Sequence, residues 1–230
     1  MIQDRLRPVA LTNPKDMNQA NRLPLVILIL LLTGCFNADR SARQKVKNSE
    51  AIINPEDVRK FKDEVEAFND DEHIDVTVQP DARITYITED EVLNMENGIV
   101  LFGWPSCPWF RNAVEPLLEF AKEENATIYY LNIREIRDVK NREDDKIVTT
   151  KEGSAGYYAM LDKFHEVLKP YSGLEDEHIK RISSPTVLFI EENKAVHRVS
   201  STVTSQTDAS IKLNREQHNE LKDRYRAYFE

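Results

Sequence analysis

The stretch Ile99-Val100-Leu101-Phe102-Gly103-Trp104-Pro105-Ser106-Cys107-Pro108-Trp109-Phe110 sets a short apolar run directly before a cysteine-bearing turn. Four consecutive apolar residues lack the alternation of a half-buried strand, so Ile99–Phe102 reads as a strand covered on both faces. Pro108 suits the first position of a helix, where a missing N–H costs nothing and φ is already right. Ala113, Val114, Leu117, Leu118 and Ala121 then recur on one side of that helix, and Pro116 inside it predicts a kink. Cys107 is thereby placed between a buried strand and a helix N-terminus, where the helix dipole and unpaired N–H groups favour a thiolate over a thiol.

Outward from this junction the chain alternates between the two periods. Downstream, Asn125 stops the helix and Thr127 to Ile133 forms a strand. Arg134 to Gly153 is charge-rich and aperiodic, which predicts a loop. Tyr157 to Leu168 follows as a helix with Leu161, Phe164 and Leu168 on one side, closed by Pro170. Thr186–Ile190, a polar turn at Glu192-Asn193-Lys194, and Ala195–Ser200 form a hairpin. A last helix from Asn214 presents Leu221, Tyr225, Tyr228 and Phe229. Upstream, Ile84 and Tyr86 mark a strand, and Thr88 with Glu91 forms a capping box for a short helix ended at Gly98. Further back, Asn54-Pro55 opens an amphipathic helix through Val58, Phe61, Val65 and Phe68 to about Asn69, while Asp70-Asp71-Glu72 reads as its solvated end. The order is an added N-terminal helix followed by β-α-β-α-β-α-β-β-α. Strand–helix–strand crossovers demand parallel pairing and the hairpin adds antiparallel edges, so the class is α/β with a mixed sheet and flanking helices.

Two features carry chemistry together: the Cys107 turn and Ser184-Pro185-Thr186, a proline set immediately before a strand. Residues 103 to 110 resemble the active-site turn of the thioredoxin superfamily, and Ser184-Pro185-Thr186 resembles its cis-proline segment. Cys107-Pro108-Trp109-Phe110-Arg111-Asn112-Ala113-Val114, with Tyr129-Tyr130-Leu131-Asn132-Ile133-Arg134, is similar to bacterial thioredoxin-like proteins that include the bacteriocin-transport accessory family. The resemblance covers roughly residues 84 to 229 and implies a thioredoxin fold. It makes Cys107 the nucleophile and Pro185 the border of a substrate groove with Trp104, Pro108, Trp109, Ser184 and Thr186. Two positions depart from the pattern. Phe110 stands where the resolving cysteine belongs, and Leu101 replaces the buried acid six residues before Cys107. A dithiol reductase cycle is therefore unsupported. Two readings follow: single-thiol exchange, with an external thiol releasing the product, or a redox-silent module whose groove holds an extended peptide.

The N-terminus reads as an address. Leu25 to Leu32 is uninterrupted aliphatic, preceded by Arg22 and followed by Thr33-Gly34-Cys35. The run is too short to span a bilayer, and its layout is that of a secretory signal peptide. Leu32-Thr33-Gly34-Cys35 resembles a bacterial lipobox, which implies cleavage before Cys35, a lipid on its sulfur and an extracytoplasmic, membrane-anchored body, with Met17 as the natural start. Residues 35–53 then form a lipidated tether, 54–83 a helix and connector, and 84–230 the thioredoxin-like domain. Removal of residues 1–34 would take the net charge from −9 to −11. The acidic balance, with no basic stripe, argues against nucleic acid. Cys35 and Cys107 are the only cysteines, which excludes a disulfide framework and an all-cysteine metal site. His73, His165, His178, His197 and His218 are scattered without ligand spacing, so no metal or cofactor is expected. The expected partners are membrane lipid through Cys35 and an envelope protein or peptide offering a disulfide or an extended segment.

Overall fold

A computed structural model describes residues 53–229, so the signal-peptide, Cys35 and most of the tether lie outside the described residues. The chain order is α1 (Pro55–Glu66), β1 (Ile84–Tyr86), α2 (Glu89–Leu93), β2 (Gly98–Gly103), α3 (Pro108–Glu123), β3 (Ile128–Asn132), β4 (Val139–Glu143), β5 (Lys146–Lys151), α4 (Ala155–Lys163), a 3-10 turn (His165–Val167), β6 (Lys169–Pro170), β7 (Lys180–Arg181), β8 (Thr186–Glu191), β9 (Lys194–Ser200) and α5 (Arg215–Arg226). Five strands form the central sheet in the order β1-β3-β2-β8-β9. β3 runs parallel to both β1 and β2, whereas β8 is antiparallel to β2 and to β9. Every residue of β2 is buried, which is what a central strand with both faces covered requires.

The sheet separates two apolar layers because alternate side chains point to opposite faces. Ile99 and Leu101 pack with α1, α3 and α5, while Val100 and Phe102 pack with α2 and α4. The local signals act as expected at several helix starts. Asn54 Oδ1 accepts from Glu56 N at 3.0 Å, the Thr88–Glu91 capping box is complete, and Asn214 and Gln217 form another. Asn125 ends α3 with φ of 52°, and Glu192 and Asn193 both take positive φ in the two-residue turn between β8 and β9.

Four expectations are corrected. α1 ends at Glu66, leaving Phe68 half-buried beyond it. α2 ends at Leu93, and Gly98 is instead the first, buried residue of β2, where a Cβ would lie 2.5 Å from Met95 Sδ. Residues 134–153 are not all loop: β4 and β5 pair as an antiparallel hairpin. The helix expected over 157–168 starts earlier, at Ala155, with the Ser154 hydroxyl accepting from Tyr157 N, and passes into the 3-10 turn after Lys163. α3 is continuous through Pro116, which is buried within it. No helix among the described residues is long and apolar enough to cross a membrane.

Candidate functional site

β2 and β3 end in register, Gly103 opposite Asn132, so the segments that follow them emerge at one edge of the sheet. β8 begins at that edge, with Thr186 paired to Phe102. The turn 104–107, the segment 133–137 and the segment 181–185 are therefore neighbours by topology. Cys107 is the N-cap of α3, with extended backbone and no side-chain cap of its own, and Pro108 fills the first helical position.

The two segments singled out by sequence meet directly. The Ser184–Pro185 peptide is cis, and Cys107 Sγ donates to the Ser184 carbonyl at 3.5 Å across 77 residues of sequence. Cys107 is only 8% exposed and packs as part of the α1/α3/α5 layer. Pro185 and Thr186 are buried; the Pro185 carbonyl accepts from Ser201 N at 3.0 Å. Thr186 Oγ1 lies 3.1 Å from Ser183 Oγ and 3.4 Å from Ser200 Oγ. Pro108 is exposed beside the thiol. Trp104 and Trp109, which the resemblance sets at the groove, are both half-buried: Trp104 packs against the apolar layers on both sides of the sheet and Trp109 against the α1/α3/α5 layer.

Phe110 stands at the position where the resemblance would place a second cysteine. Its ring is fully buried, edge-on to Phe61 of α1 with centroids 6.4 Å apart and tilted on Tyr130 of β3 at 5.8 Å. Gly103 makes room for it, since a Cβ at Gly103 would lie 2.2 Å from the Phe110 ring and 3.0 Å from Ser184 Oγ. Leu101 is 1% exposed in the same layer as Cys107 and Phe110 and is plain core.

Sequence reasoning missed two residues that hold the turn. Arg111 is 1% exposed, and its guanidinium donates to Ile74 O at 2.8 Å, Val65 O at 2.8 Å, Pro105 O at 3.2 Å and Asn69 Oδ1 at 2.5 Å. It thus ties the Cys107 turn to the end of α1 and the segment after it. Burial pulls this guanidinium below its ordinary value, opposed by the charges of Asp70, Asp75 and Glu115. Asn112, also buried, donates to Pro108 O at 3.1 Å and Ala209 O at 2.8 Å and accepts from Leu213 N at 2.9 Å, joining the start of α3 to the segment before α5. The one cue was position: both follow Phe110 on a helix start whose other face is apolar.

Among the described residues no group of His, Cys, Asp and Glu is arranged to hold a metal ion. What the edge offers is one thiol at a helix N-terminus against the backbone of a cis-proline segment, the one cysteine among the described residues. Comparison with protein-family models, curated proteins and solved structures finds no match to the chain.

Proposed function

We propose that the chain is a thioredoxin-fold protein anchored through a lipidated Cys35 to the extracytoplasmic face of a bacterial membrane, and that Cys107 performs single-thiol exchange with a disulfide partner. The observation that carries this reading is the approach of Cys107 Sγ to the Ser184 carbonyl beside the cis Ser184–Pro185 peptide. The sheet order, two parallel pairings followed by an antiparallel hairpin, supports it. A thiolate at Cys107 attacks one sulfur of the partner disulfide, a new S–S bond forms, and the other partner sulfur leaves with the electron pair. With Phe110 buried at the resolving position, the mixed disulfide persists until an external low-molecular-weight thiol displaces Cys107.

The 8% exposure of Cys107 and the sealed aromatic core around Phe110 favour a second reading, a redox-silent module that holds an extended peptide beside Pro185. One experiment separates them. The full chain is incubated with a peptide bearing a cysteine 2-pyridyl disulfide, and mixed-disulfide formation is followed by release of pyridine-2-thione and by mass. Single-thiol exchange gives a stable one-to-one adduct on Cys107 that a monothiol reverses and that Cys107→Ser abolishes. Binding of the peptide without any adduct would leave only the second reading. For the anchor, palmitate labelling in cells is expected for the full chain and lost in Cys35→Ser.

A further inference from the structure

We infer that the sheet edge beside Cys107 carries a site for an acidic side chain, built from the guanidinium groups of Arg137 and Arg181, so that the partner of the thiol is a peptide with Asp or Glu flanking its disulfide. This rests on the single-thiol reading above and names its substrate class.

Both arginines belong to segments that the topology brings to the thiol. Arg137 ends the segment that leaves β3, held by its own N–H to Ile133 O at 3.0 Å, and its guanidinium lies over the Trp104 ring at 4.3 Å. Arg181 ends β7, three residues before Ser184, and lies over the Tyr171 ring at 4.1 Å. Both are half-buried. They are close enough to repel: burial, and after it the Arg181 charge, pull the Arg137 guanidinium below its ordinary value, while Tyr157, Tyr171 and Cys107 act the other way. No carboxylate appears among those opposing groups.

Two neighbouring acids each have a lysine beside them. Asp138, next to Arg137 in the chain, is fully buried and pairs with Lys140 Nζ at 2.8 Å. Glu135 pairs with Lys151 at 3.4 Å. Arg181 Nε is buried with no hydrogen-bond partner. Among the described residues neither guanidinium has an ion pair, and two half-buried like charges so placed favour the arrival of an anionic group. Each guanidinium sits over an aromatic ring, Trp104 or Tyr171, and a guanidinium accommodates a carboxylate in bidentate fashion. Arg134 adds a third positive group: its Nη1 donates to Ser106 Oγ in the turn itself at 3.0 Å.

The test uses the full chain and three peptides with the same neutral leaving group: Ac-Glu-Cys-Glu-NH2, Ac-Gln-Cys-Gln-NH2 and Ac-Lys-Cys-Lys-NH2, each with its cysteine as the 2-pyridyl disulfide. In each case Cys107 thiolate forms the S–S bond to peptide sulfur, and pyridine-2-thione leaves with the electron pair. The Glu peptide is expected to react about tenfold faster than the Gln peptide at low salt, with the Lys peptide slowest, and the Glu/Gln ratio should fall towards one between about 20 and about 300 mM NaCl. Arg137→Gln/Arg181→Gln should bring that ratio to about one, and Arg137→Lys/Arg181→Lys should keep part of it. Equal Glu and Gln rates in the unaltered protein, or a ratio that the glutamine variant leaves intact, would overturn the site while exchange itself stands. If no peptide forms an adduct, the exchange reading falls; calorimetry with Ac-Glu-Ser-Glu-NH2 against Ac-Gln-Ser-Gln-NH2 then decides the site alone, a Glu preference upholding it and parity overturning it.

Discussion

Gly103 and Phe110 occupy one another's space, and the pair fixes how the Cys107 turn is floored. A Cβ at Gly103 would stand 2.2 Å from a ring carbon of Phe110, a separation no side-chain shift of tenths of an ångström relieves. Gly103→Ala is expected to cost about 1–3 kcal/mol by overpacking. Phe110→Ala is expected to cost about 3–5 kcal/mol, because Phe61 and Tyr130 lose a fully buried ring. The double variant should cost less than the sum by at least about 1 kcal/mol, since removing the ring vacates the space the methyl needs. Urea unfolding of the four proteins checks this, and strict additivity would contradict the contact. Both residues were legible in sequence, one as a strand end and one as a departure from the pattern the turn resembles, but their contact was not, because it crosses a turn that neither helical nor strand periodicity describes. Arg111 was illegible for a stronger reason. A charged residue in a first helical turn reads as solvent-facing, whereas two of its carbonyl partners, Ile74 and Val65, lie 37 and 46 residues away and exist only in the folded chain.

α1 is the element that closes the sheet on one side. β1 is an edge strand, and edge N–H groups left bare invite pairing with another chain. Asp57 of α1 prevents this: its carboxylate accepts from the Thr85 hydroxyl and, at 3.2 Å, from Tyr86 N. Phe61 of the same helix packs on Tyr130 with centroids 5.0 Å apart and reaches Phe110 below the turn. Asp57→Ala is expected to lower stability by about 1–3 kcal/mol by leaving edge donors unpaired. Hydrogen exchange at Tyr86 N should accelerate by at least about tenfold while amides of β2 slow-exchange as before. Unchanged exchange at Tyr86 would show that water, not Asp57, satisfies the edge. The Asn54-Pro55 start and the Val58, Phe61, Val65 spacing made this helix readable, since it has one apolar stripe and a cap. The β4–β5 hairpin had neither. Its ten central positions from Lys140 to Thr149 are half-buried or exposed, so no face alternates with an apolar one, and the period of two leaves no trace. It is held instead by polar contacts to a distant segment: Lys140 N donates to the Tyr171 hydroxyl at 2.9 Å and Arg142 Nη1 to Leu174 O at 2.8 Å.

Across the whole molecule, stability in mild acid is set where β8 and β9 meet the C-terminal helix. His197 of β9 lies in an aromatic cluster, 5.2 Å from Phe189 and 6.3 Å from Tyr228 by ring centroids, and its Nε2 lies 3.2 Å from Arg224 O. Burial holds its imidazolium form below the ordinary value of 6.5; the Arg224 carbonyl opposes that shift, and the charges of Arg224 and Arg198 reinforce it. Above that value His197 is neutral in both folded and unfolded chains and has no effect on their balance. As pH falls below 6.5, the unfolded chain takes up a proton that the folded chain refuses, so stability declines. The decline levels off once the pH passes below the folded value. Carboxylates act lower down: the Lys222 ammonium, against the pull of burial, holds Glu123 below 4.5, so the stability it adds fades only in stronger acid. Unfolding by urea at a series of pH values is therefore expected to show a loss between about pH 7 and about pH 5 that His197→Gln flattens, with the steeper acid limb below about pH 4 retained. The same slope in both proteins through the upper window would place the proton uptake elsewhere and remove His197 from the account.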